Sequence, residues 1–207
     1  NKPPLGYWLY ELAVAVGGYN ETAIRLLPLI PFLATIVLTW WIARSIRGDM
    51  SGLLAGALFV LLSTDPYLFG NGANMEHFMN LFGVASLACF LRAWDHSDRR
   101  WLLFCGLSLG AEILVKQVAV THGVLFAIAL AIRDIGRPGV ATHETATWKR
   151  LGGDWIAFGS GIALVCGLSA VILITQGAGK EAFEDIFRYG PALATDTLPE
   201  PNAPSPL

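Results

Sequence analysis

Apolar residues run along this chain in long blocks, separated by short polar gaps. Blocks of this length predict helices that are apolar on all sides, the pattern of membrane-spanning segments. Six spans are expected, at about residues 23–43, 51–69, 78–94, 101–115, 118–132 and 155–175.

Two shorter elements flank them. Residues 5–16, LGYWLYELAVAV, are too few to cross a hydrocarbon core of roughly 30 Å. Their Tyr7, Trp8 and Tyr10 favour the membrane–water interface. Pro3 and Pro4 suit an extended entry and the first turn of this interfacial helix, which Gly17 and Gly18 end. Residues 180–189, KEAFEDIFRY, place Phe183, Ile186 and Phe187 at helical spacing and predict a short amphipathic surface helix. The expected fold is all-α: a polytopic transmembrane helix bundle (22–176) between an interfacial segment (1–21) and an amphipathic helix with a Pro-rich tail (177–207).

Particular residues refine this picture. Pro28 and Pro31 should kink the first span. Gly52 with Gly56, and Gly106 with Gly110, form GxxxG steps that admit a second backbone. Glu21 with Arg25 and Glu112 with Lys116 have the four-residue spacing of helical ion pairs. Asp65-Pro66 ends the second span, and His122 lies one turn inside the fifth. Residues 133–154 read as a polar loop, whose His143-Glu144 lacks a second ligand at helical spacing for a metal signature.

Composition agrees. The chain of 207 residues is 54% hydrophobic and 14% charged, where soluble domains carry roughly 25% charged residues. A net charge of −2 points neither to nucleic acid nor to an anionic surface as partner. Cys89, Cys105 and Cys166 lie in apolar runs and form no disulfide or zinc pattern. An opening without Met and a Pro-rich end at 198–207 suggest a piece of a larger membrane protein.

The stretch 70–80, GNGANMEHFMN, is the conspicuous polar interruption, with Glu76 beside His77. A carboxylate at the mouth of a membrane bundle is costly and tends to have a function; a plain polar turn at an interface is the other reading. Arg44, Arg47, Arg92, Arg99, Arg100, Arg133, Arg137, Lys149 and Arg150 fall on one side of the expected bundle, which the excess of cations marks as cytoplasmic. Lys2, Arg25, Glu76, His77 and Lys116 then share the extracytoplasmic side, where they can hold a metal and an anionic group such as a phosphate.

With these residues in order, the chain resembles the protein O-mannosyltransferase-like membrane glycosyltransferases, which include the bacterial aminoarabinose lipid A transferases. The resemblance rests on NKPPLGYW at 1–8, on Glu21, Arg25, Leu26 and Pro28, on the basic turn that follows, and on Pro66, Glu76, Leu114 and Lys116, and covers about residues 1–132. It implies the GT-C fold in a bacterial plasma membrane. It further implies transfer of a sugar from a polyprenyl-phosphate donor to a protein or lipid acceptor outside the cytoplasm. By the family pattern Glu76 is the catalytic acid that binds metal or substrate, and Lys2 and Lys116 contact the donor phosphate. Arg25 and His77 join them as substrate-binding candidates, and Glu76 with His77 as ligands for a divalent metal (Mg, Mn or Zn). The chain departs from the family in having Glu rather than Asp at 76 and Lys-Gln rather than Lys-Gly at 116–117. The family's catalytic base falls in a loop before Asn1. A transporter or channel, or a non-catalytic lipid-binding membrane protein, are the competing readings.

Overall fold

The structure, a computed structural model, describes residues 3–64, 74–96, 98–135 and 145–184. These form nine α-helices and one 3-10 turn, with no strand among the described residues. The helices are α1 (Pro4–Gly17), α2 (Glu21–Leu26), α3 (Leu29–Arg47), α4 (Asp49–Ser63), α5 (Glu76–His96), α6 (Arg99–Val115), α7 (Val120–Ile135), α8 (Thr145–Thr175) and α9 (Gly179–Glu184).

Local chemistry sets the boundaries. Pro4 occupies the first turn of α1, where its missing N–H has no intrahelical partner to lose. Gly18, at φ 71°, takes the left-handed conformation that ends this helix. Asn20 caps α2 by accepting from the Thr22 N–H at 2.9 Å. Leu27 and Pro28 join α2 to α3 with helical backbone dihedrals, so the expected kink falls at Pro28; Pro31 sits in the first turn of α3 and is tolerated there. Asp98 caps α6 through the Arg100 N–H.

Among the described residues, three stretches are long and apolar enough to cross a membrane: Glu21–Arg47, Gln117–Asp134 and Leu151–Thr175. The apolar α4 is shorter, at 15 residues. α5 and α6 fall outside this group: α6 has 17 residues, and α5 carries Glu76, His77, Arg92 and Asp95 along its length. The outer faces are greasy: Leu54, Leu58 and Leu61 on α4, and Ile156, Leu164 and Leu168 on α8, are exposed. Such rows suit lipid contact.

Packing centres on α6, which meets α5 on one side and α8 on another, while α3 packs on α4 and α5. Both glycine steps are contact surfaces. A side chain at Gly52 would meet the Trp40 carbonyl oxygen at 2.8 Å. One at Gly106 would collide with the Phe158 carbonyl oxygen of α8, and one at Gly161 with that of Leu103. Small residues are what let these backbones touch. Phe90, Leu102, Cys105, Leu109, Leu130 and Phe158 fill the core between them.

The basic end differs from expectation. α8 begins at Thr145, so residues 145–154 are helix and not loop. Arg133 and Asp154, both under a tenth exposed, pair at 2.9 Å, and Arg99 adds a second bond to Asp154 at 3.1 Å. Asp134 accepts from the Trp155 indole N–H at 3.0 Å. Arg92 lies over the Trp41 and Trp101 rings. At the C-terminal side, the described part of the expected amphipathic helix is the short α9.

Candidate functional site

The site is assembled where α5 starts and α6 ends. Glu76 is the first residue of α5, a favourable place for a carboxylate because unpaired N–H groups point out of a helix start. It is thus a helical residue rather than a loop residue. On the facing element, α6 stops at Val115 and Lys116 turns extended, at φ −146° and ψ 124°. The Lys116 N–H still donates to the Glu112 carbonyl at 2.9 Å, capping α6, and a 3-10 turn over Gln117–Ala119 follows. This turn-out carries the lysine side chain to α5, where its Nζ donates to Glu76 Oε1.

The spacing-based pair of Glu112 with Lys116 is therefore corrected. Four-residue spacing brings side chains together only while the helix continues, and here it ends between them. Glu112 turns inward, 1% exposed, and its Oε1 lies 2.7 Å from His122 Nδ1. The cue in the sequence was two ionisable residues inside apolar runs on either side of the break at Lys116-Gln117.

The remaining candidates separate. His77 is buried and sets its ring edge-on to Phe32 of α3 at 5.5 Å, while Glu76 turns to Lys116. The two neighbours thus face different helices, and no three His, Cys, Asp or Glu side chains converge to hold a metal among the described residues. Arg25 closes the expected local pair with Glu21 at 2.6 Å, with both side chains largely exposed. Lys2, Asp65 and Pro66 lie outside the described residues.

Tyr10 was absent from the sequence-based site. Its ring packs edge-on against Phe78 at 6.2 Å, and its hydroxyl is buried with no hydrogen-bond partner among the described residues. Burial raises its pKa above the usual 10.0, and the negative charge of Glu76 raises it further. Only α1 docking over the start of α5, where Gly6 lies against Met75, brings it there.

Two apolar cavities adjoin this region. One, of about 400 Å³, lies between α6, α8 and α9, with Pro3, Pro4 and Gln117, the residue after Lys116, at its wall. The other, of about 520 Å³, runs between α5 and α7 and has Asn80, Glu112 and His122 in its lining.

A family model described as dolichyl-phosphate-mannose-protein mannosyltransferase matches residues 1–152. The chain is 27% identical over 169 residues to a protein of Erwinia tasmaniensis named undecaprenyl phosphate-alpha-4-amino-4-deoxy-L-arabinose arabinosyl transferase. That match takes in 79% of this chain and 28% of the relative. An uncharacterized protein of Aquifex aeolicus is 36% identical over 63 residues, 30% of this chain and 13% of its own length. The chain thus spans less than a third of either relative. No solved structure matches it significantly.

Proposed function

Because the chain belongs to the dolichyl-phosphate-mannose-protein mannosyltransferase family, we propose that the protein is a membrane glycosyltransferase that moves a sugar from a polyprenyl-phosphate donor to a protein or lipid acceptor. We place the reaction on the extracytoplasmic face of a bacterial plasma membrane. The observation that carries this reading is the Glu76–Lys116 pair, next in sequence to Gln117 in the wall of an apolar cavity that Pro3 and Pro4 also line. A lysine beside a greasy slot suits a ligand that is an anion at one end and an isoprenoid chain at the other.

In the reaction the acceptor oxygen bonds to the anomeric carbon. The bond from that carbon to the phosphate oxygen breaks, the electron pair leaves with the phosphate, and the acceptor loses its proton to a base. Phosphate needs no acid to leave, only stabilisation of its growing charge. Lys116, held in place by Glu76, supplies that. Glu76 holds the ammonium in place and offers a carboxylate to the sugar hydroxyls. Lys2, one residue before the cavity-wall residue Pro3, is a second cation for the phosphate; Arg25, paired with Glu21, and His77, buried against Phe32, are kept only as substrate-binding candidates. Glu76 and His77 point to different neighbours, so as placed they do not make a donor set for a divalent metal.

The test is transfer from a radiolabelled polyprenyl-phosphate sugar by the protein in lipid nanodiscs. Lys116→Ala should lower the rate by about 100-fold or more, the usual cost of removing a preorganised charge stabiliser. Lys116→Arg should recover part of it. A wild-type rate in Lys116→Ala would overturn the proposal.

A further inference from the structure

The cavity between α5 and α7 has a structure of its own. Leu87, Phe90, Leu125 and Phe126 make its walls apolar, and its polar lining comes from Asn80, Glu112 and His122. On α5, Glu76, Asn80 and Gly83 follow at four and three residues and share one face. Gly83 lies about 10 Å along the helix from Glu76, so this polar group is a separate place from the Glu76–Lys116 pair.

Glu112 is the reason to look for a ligand. It is 1% exposed, yet only its Oε1 is engaged, by His122 at 2.7 Å. Its Oε2 is buried with no hydrogen-bond partner among the described residues. An unpaired carboxylate oxygen in apolar surroundings is expensive and rarely kept without use. Room for it is made on purpose: a Cβ at Gly83 would stand 2.8 Å from Oε1 and 3.4 Å from Oε2.

We infer that this cavity is a binding site for an uncharged, single-chain lipid with a hydroxyl head, the chain lying along α5 and α7 and the hydroxyl donating to Glu112 Oε2. Charge decides between ligand classes. A phosphate or carboxylate head would meet the Glu112 carboxylate and be repelled. An ammonium head would meet an imidazole that already serves as the partner of that carboxylate. A neutral hydroxyl satisfies the open acceptor without disturbing the pair. The volume of about 520 Å³ falls within the usual range for small-molecule sites. This site is independent of the proposed transfer reaction and does not require it.

The experiment uses photoreactive dodecanol carrying a chain diazirine, and the matching dodecyl phosphate, with the protein in lipid nanodiscs. Labelled peptides are identified by mass spectrometry. The alcohol should label segments 83–91 and 125–129 at least about tenfold more than the phosphate does, the worth of one hydrogen bond to a charged group. Glu112→Leu should reduce labelling by the alcohol by a similar factor, and Gly83→Ala should reduce it by crowding the carboxylate. Equal labelling by the two probes, or no labelling of these segments, would overturn the inference. So would alcohol labelling unchanged in a folded Glu112→Leu. The comparison of the two probes on the unaltered protein decides the matter even where the variants fail to fold.

Discussion

Lys116 reaches across forty positions of sequence to Glu76 and leaves Glu112, one helical turn before it, to His122. The exchange of partners follows from one backbone event, the end of α6 at Val115. It gives the protein two carboxylates with different surroundings, one partly exposed and one buried.

The Glu76–Lys116 pair should matter for chemistry more than for stability. Its side chains are 36% and 31% exposed, and pairs of that kind contribute about 0–1 kcal/mol. Glu76→Gln is expected to leave the unfolding midpoint within a few degrees of wild type while transfer falls about 100-fold. Thermal melts and transfer rates on the same preparation check this. A large loss of stability would make Glu76 a structural residue.

Tyr10 provides a pH signature. Its pKa is raised in the folded state, by burial first and Glu76 second, so the folded protein holds this proton more tightly than the unfolded chain. The stabilisation is fully present below pH 10 and is lost as pH rises through the folded value. Tyr10→Phe should flatten the alkaline fall in melting temperature, and Glu76→Gln should move the onset of tyrosinate absorbance to lower pH. An alkaline melting profile that Tyr10→Phe leaves unchanged would refute this.

Glycines of α6 and α8 should fall into two classes. Gly106→Ala drives a methyl group into the Phe158 carbonyl oxygen and is expected to cost about 1–3 kcal/mol. Gly159→Ala, which meets nothing within 4 Å, should be neutral or stabilising by about 0.5–1 kcal/mol from its better helix propensity. Denaturant unfolding in detergent distinguishes them.

At the basic end, Arg133 and Asp154 are paired and buried. Asp154→Ala is expected to destabilise by about 1–3 kcal/mol, because it removes the buried carboxylate that Arg133 and Arg99 share, while Asp134 stays beside Arg133. The paired change Arg133→Met with Asp154→Leu should cost much less than the sum of the single changes. Additive costs in that double-mutant cycle would show that the two charges act independently.

Much of the helical plan was legible because apolar blocks and breakers act locally. Pro28, Gly17, Gly18 and the short helix at 5–16 each determine structure through their own backbone or length. The glycine steps were legible for the same reason, since a missing side chain admits a neighbour whatever that neighbour is. Partner choice was less so. Glu21 with Arg25 followed its spacing because α2 continues through both residues. Glu112 with Lys116 did not, because an extended residue at the helix end redirects the lysine. Arg133 and Asp154 read as a solvated loop, since polarity along a chain does not reveal which charges another helix will cover. Tyr10 entered the site only through the docking of α1, a long-range event with no local mark. Glu76 and His77 adjoin in sequence, but successive residues on a helix point about 100° apart, which is why they part company.

The length of α8 has a geometric consequence. Thirty-one residues of helix extend about 46 Å, against a hydrocarbon core of about 30 Å. A rod of that length cannot be submerged end to end at an ordinary tilt. The Arg133–Asp154 pair, nine positions after its first residue, makes a natural waterline. The turns before it then stand clear of the bilayer as a mast. An epitope or fluorophore fixed near Thr145 would report which compartment that end of the bundle faces, without touching either cavity.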